Sequence, residues 1–82
     1  MGQKSLHIHK RFPGKIHAIK RLMAEKPSFR SLCWDYEICI KALKHWAQSQ
    51  APEAKMRLVE YEMLAKELEE EIQQEIPEIL IG

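Results

Sequence analysis

The sequence predicts an all-α protein: an antiparallel, coiled-coil-like two-helix hairpin with a short N-terminal helix packed across it. Three observations carry this. Glycine occurs only at positions 2, 14 and 82, so the long stretch between the last two lacks the residue that tight β-turns most need. Val59 is the only valine and threonine is absent, so the β-branched residues are isoleucines at helical spacing, which disfavours strands. Pro13, Pro27, Pro52 and Pro77 divide the chain, and the last three stand 25 residues apart. Proline breaks a helix interior but is tolerated in a first turn, so these positions mark helix boundaries. Two elements of equal length joined by a short connection are what an antiparallel hairpin requires.

The elements follow in order within one domain spanning residues 1–82. Residues 1–11 read as an extended basic arm. Residues 13–26 read as a short helix with Ile16, Ile19, Leu22 and Met23 on one side; at about a dozen residues it is marginal alone in water and must dock on something. The first long helix, 28–48, takes Ser28 as its cap. It carries Phe29, Leu32, Tyr36, Cys39, Leu43 and Trp46 in unbroken three-four alternation, widened by Cys33, Ile40 and Ala47. The second, 52–76, repeats the pattern with Ala54, Leu58, Tyr61, Ala65, Leu68 and Ile72, with Leu64 beside them. Its outer side offers Glu53–Arg57 and Glu62–Lys66 as ion pairs four apart. Ile76 and Pro77 close it, and 77–82 form a tail containing Ile79-Leu80-Ile81. A 3.5-residue apolar repeat packs helices at a shallow left-handed angle.

With the hairpin placed, the run Phe12-Pro13, Ile16, Ile19, Leu22, Ser28-Phe29-Arg30-Ser31-Leu32 and Asp35-Tyr36 resembles the YdcH-type family of short bacterial helical hairpins of uncharacterised function. The second long helix, with Arg57 and then Leu64-Ala65-Lys66-Glu67-Leu68-Glu69, is similar to that family's closing helix. The resemblance covers about residues 12 to 76. The chain departs from the pattern at Gly14, where a charged residue is usual, and at Trp34 and Cys39. The resemblance implies the hairpin and brings no active residues with it.

Composition narrows the function classes. No apolar run approaches the ~18–20 residues that span a bilayer, and Met1-Gly2-Gln3-Lys4-Ser5 is followed by Leu6-His7-Ile8-His9 rather than an apolar leader core. Gly2 invites myristoylation, but the pattern wants Ser or Thr where Leu6 stands. Cys33 and Cys39, six residues apart on one helix, are separated by ~9 Å of rise, beyond the ~7 Å that a disulfide bridges. Free buried thiols fit a reducing compartment, and a cytoplasmic protein is expected.

No constellation supports catalysis, a cofactor or a metal. His7, His9 and His17 are the nearest approach to a ligand set, and a structural zinc site needs four ligands. Cys39 and His45, six apart on a helix, face different sides, so a thiolate–imidazole pair is not expected. Glu69, Glu70, Glu71, Glu75 and Glu78 lack the loop of a calcium site and read as a solvated helix face.

Two surfaces are left over. Residues 1–30 carry eight Lys or Arg against Glu25 alone, a balance of +7, while residues 31–82 carry five against eleven acids, a balance of −6. The favoured reading sets the basic segment against the acidic second hairpin helix. The alternative is a nucleic-acid-associated protein working through Lys10, Arg11, Lys15, Lys20 and Arg21. The second surface consists of Trp34 and Ile38 on the first long helix and Met56, Val59 and Met63 on the second, all off the hairpin seam. These five are the candidate interface of a non-enzymatic, self-associating interaction module, most simply a homodimer, with an unidentified protein partner a further possibility. The rival is that the short helix covers them through Ile16, Ile19 and Met23.

Overall fold

A computed structural model describes residues 6–76, and these are helical almost throughout: α1 (Leu6–Arg11), a 3-10 turn (Pro13–Lys15), α2 (Ile16–Glu25), α3 (Pro27–Ala47) and α4 (Ala54–Glu75). No strand occurs among the described residues. The tail 77–82, with Ile79-Leu80-Ile81, and the first five residues lie outside them.

Prolines set the breaks through their neighbours. Phe12 precedes Pro13 and Lys26 precedes Pro27, and each leaves the helical region, with ψ of 67° and 108°. A residue before proline is pushed out of the α basin by the ring, so α1 and α2 both stop there. Pro27 then occupies the first helical position of α3, where its missing N–H costs nothing. The N-cap is therefore Lys26, two residues before the expected Ser28, and no side chain caps this end. At the other end of the hairpin Ser49 Oγ accepts the Ala51 N–H at 3.1 Å, forming a hydroxyl-stabilised turn. Pro52 and Glu53 belong to that turn, so α4 starts two residues later than the proline alone suggests. Arg57 consequently pairs with Glu60 at 3.0 Å, one turn ahead, rather than with Glu53.

α3 and α4 pack antiparallel: Lys26 at the start of α3 meets Glu75, Tyr36 meets Glu69, and Cys39 meets Tyr61. The buried seam is Phe29, Cys33, Tyr36 and Cys39 against Ala65, Leu68 and Ile72. Leu32, Ile40, Leu43 and Tyr61 are only partly buried, and Leu64 is exposed. Burial is concentrated in the half of the hairpin away from its loop. That half receives a third layer, made by Ile8 and Phe12 from the first helical turn and by Ile19 and Leu22 from α2.

The N-terminal segment overturns one expectation. Leu6–Arg11 is a helix, not an extended arm, and Ile8 is completely buried. Ile8 and Phe12 stand four apart, so one helical turn puts both side chains on the hairpin. Six residues cannot sustain a helix in water, so its stability comes from docking. The short helix predicted over 13–26 is present but begins with the 3-10 turn at Pro13–Lys15. Arg30 Nη1 donates to the Met23 carbonyl at 2.7 Å, satisfying one of the orphan carbonyls at the α2 C-terminus and fixing the angle between α2 and α3.

The core is small, so single truncations should be severe. Phe29→Ala is expected to cost about 3–5 kcal/mol and Ile72→Ala about 2–5 kcal/mol in urea unfolding. Lys55→Ala, at an exposed position of α4, should change stability by less than about 0.5 kcal/mol.

Candidate interaction surface

Two carboxylates hold the N-terminal layer. Glu37 on α3 is buried, and its two oxygens serve α1 separately: Oε1 lies 2.7 Å from His7 Nδ1 and Oε2 accepts the Ile8 N–H at 3.1 Å. A carboxylate only accepts, so His7 must carry its proton on Nδ1. The Ile8 N–H is one of the orphan donors of the first helical turn, so Glu37 caps α1 from another element. Glu69 on α4 accepts Tyr36 Oη–H at 2.7 Å and faces Arg11 Nε at 3.0 Å. The Arg11 guanidinium also lies over the Phe12 ring, 5.1 Å from its centroid. Glu69 was expected on a solvated helix face; half-buried and hydrogen-bonded, it belongs to the docking machinery.

These groups shape the acid–base character of the interior. Burial pushes the Cys33 thiol up to about 12, with the negative charge of Glu37 adding to it. Cys39 is raised by burial and by Glu69, and its Sγ–H donates to the Tyr61 carbonyl at 3.3 Å. Tyr36 is raised by burial and then by its bond to Glu69. Both cysteines are free and buried. A reactive thiolate needs a lowered pKa, so these two are small hydrophobes rather than nucleophiles. His45 stands edge-on to Trp46, centroids 4.9 Å apart, away from either thiol.

The histidines do not stay on a solvated arm. His7 is engaged by Glu37, and His9 turns its Nδ1 inward, where it has no hydrogen-bond partner among the described residues. His17 is exposed on α2. The described residues contain no group of three or more His, Cys, Asp or Glu placed to share a metal ion. No described helix is long and apolar enough to cross a membrane.

The five candidate interface residues are all exposed: Trp34, Ile38 and Val59 at 53%, Met63 at 61% and Met56 at 63%. The short helix does not cover them, because it turns Ile19 and Leu22 into the seam on the other flank of α3. Leu64, expected beside the seam, joins this outer set at 41%. Ile38 and Leu64 border a shallow groove of about 220 Å³ lined also by Asp35, Cys39, Tyr61 and Leu68. Of the five candidate nucleic-acid contacts, Arg11 is committed to Glu69, while Lys10, Lys15, Lys20 and Arg21 are exposed on the N-terminal layer. Lys26 pairs with Glu75 at 3.2 Å, so the basic segment does meet the acidic helix at two points.

Sequence reasoning missed Glu37, which looks like any helix glutamate until α1 is placed over it. The signal available was its position one residue after Tyr36, on the flank of the stripe that Cys33 and Ile40 widen. No family model, curated protein or solved structure matches the chain.

Glu37→Ala should strip α1 of its cap and leave a buried N–H unsatisfied, at about 1–3 kcal/mol. Amide exchange at Ile8 to Phe12 should accelerate selectively, with the α3–α4 amides little changed. The thiols give a pH test. Because Cys33 titrates higher folded than its ordinary value of 9.0, the stability it contributes is full below that pH and is lost as pH rises through 9.0 toward about 12. Alkylation at pH 8 should therefore be slow in the native protein and fast in denaturant, and equal rates would refute burial of both thiols.

Proposed function

We propose that this chain is a non-enzymatic helical interaction module that self-associates, most simply as a dimer, through Trp34 and Ile38 on α3 and Met56, Val59 and Met63 on α4. The observation that supports the reading is that all five are more than half exposed in one copy. Burying an apolar side chain of this size gains ~1.5–3 kcal/mol, so leaving five in water forfeits an amount comparable to the 5–15 kcal/mol total stability of a small domain. In this reading the chain is a relative of the YdcH-type hairpins, supported by the paired helices of 21 and 22 residues. A reducing, cytoplasmic setting fits its two free thiols.

A second reading rests on Lys10, Lys15, Lys20 and Arg21, each of which is exposed on the N-terminal layer. Cations without a base-reading element would give weak, sequence-independent contact with nucleic acid. Duplex binding tighter than ~1 µM at physiological salt would promote this reading above the first.

Sedimentation velocity decides the main proposal. Wild-type protein should show mass above that of one chain at about 100 µM, and Ile38→Lys should restore the monomer and abolish any dependence of thermal stability on concentration. A wild-type monomer at that concentration would overturn self-association.

A further inference from the structure

We propose that the groove between Ile38 and Leu64 receives a basic amphipathic helix from a partner protein. The groove opens on the flank of the hairpin that α1 and α2 leave bare. On α3 the N-terminal layer is fastened at Glu37, and Asp35 of the groove is two residues away, on the opposite flank. On α4 it is fastened at Glu69, and Leu64 is five residues away, again on the far side. The floor is Cys39, Tyr61 and Leu68, and Ile38 and Leu64 are its exposed walls. At about 220 Å³ it exceeds the ~150 Å³ apolar cavity that accepts a benzene ring, so it has room for a large apolar side chain.

Charge selects the occupant. Asp35 lines the groove, and Glu71 lies seven residues beyond Leu64, on the same face of α4 and exposed. Arg57 is spent on Glu60 at 3.0 Å, and Lys41 falls on the opposite flank of Ile38 from Asp35. An apolar trough with an acidic border fits a helix that has an apolar stripe between basic flanks. Among the described residues, a second copy of this chain offers no such helix. Its own cationic helix, α2, has Ile19 and Leu22 sunk in its core, and its own groove carries the same acids. This proposal rests on the interaction-module reading, not on self-association.

The test uses the full chain and a labelled Leu/Lys amphipathic peptide of about 15 residues, followed by fluorescence anisotropy. Two control peptides accompany it, one with Glu replacing every Lys and one with the Leu/Lys sequence scrambled. Binding of the Leu/Lys peptide at about 10 µM, weakening with salt, is expected, with both controls at least about tenfold weaker. Asp35→Lys and Leu64→Lys, both at exposed positions, should each weaken it about tenfold while helicity is retained, and Lys20→Glu on the N-terminal layer should leave it unchanged. Equal binding of either control, or indifference to both Asp35→Lys and Leu64→Lys, would overturn the proposal. Sedimentation of the same samples separates the two readings. A monomer that binds the peptide supports the groove and refutes self-association alone; a dimer that ignores the peptide refutes the groove alone.

Discussion

Two helices in contact can bury one stripe on each, and everything outside that stripe stays wet unless a third element arrives. In this chain the third element is the folded-back N-terminal segment, and it reaches only half of the hairpin. Where Ile8, Phe12, Ile19 and Leu22 press on the pair, side chains such as Phe29, Cys33 and Ile72 become fully buried. Toward the loop, Leu43, Trp46 and Leu58 occupy equivalent stripe positions and remain partly exposed. The same apolar pattern thus gives a three-layer core at one end and a bare two-helix seam at the other.

Docking of α1 depends on polar chemistry as much as on Ile8. A single turn of helix contributes almost no intrinsic stability, and its first N–H groups have no partners of their own. Glu37 answers both needs by accepting the Ile8 N–H and the His7 Nδ1–H from a position already fixed on α3. Burying a carboxylate is expensive when it is alone and tolerable when its oxygens are bonded, and here each oxygen has a donor. Glu69 repeats the device with Arg11 and Tyr36, joining α1, α3 and α4 at one point. The Arg11 pair is half-exposed and contributes little alone; its geometry directs the turn into Pro13.

The result is a molecule with two unlike flanks. One presents Lys10, Lys15, Lys20 and Arg21 around a segment whose apolar residues are already spent. The other presents Ile38 and Leu64 with Asp35 and Glu71 near them. The charge division along the chain becomes a division across the molecule because the basic third folds onto one side only. Ion pairs at Arg11–Glu69 and Lys26–Glu75 stitch the two charge blocks together at their boundary, leaving the outer charges of each block available.

The sequence by itself determined the helices, their order and their antiparallel pairing. Those follow from local terms: proline excludes itself and its predecessor from helix interiors, and apolar side chains at three-four spacing define a stripe whatever lies opposite. It also separated Trp34, Ile38, Met56, Val59 and Met63 from the seam, since a helix angle is arithmetic on residue number. Only the tertiary structure decided what residues 6–12 become. A one-turn helix has too short a pattern to read, and its existence rests on Glu37 and a hydrophobic recess that belong to α3. Leu64, which the stripe pattern placed beside the seam, turned out to wall an open groove because the third layer packs on the other flank of α4. Which flank of the hairpin is covered is settled by the turn at Lys26 and the Arg30–Met23 bond, and local sequence carries no reading of that angle.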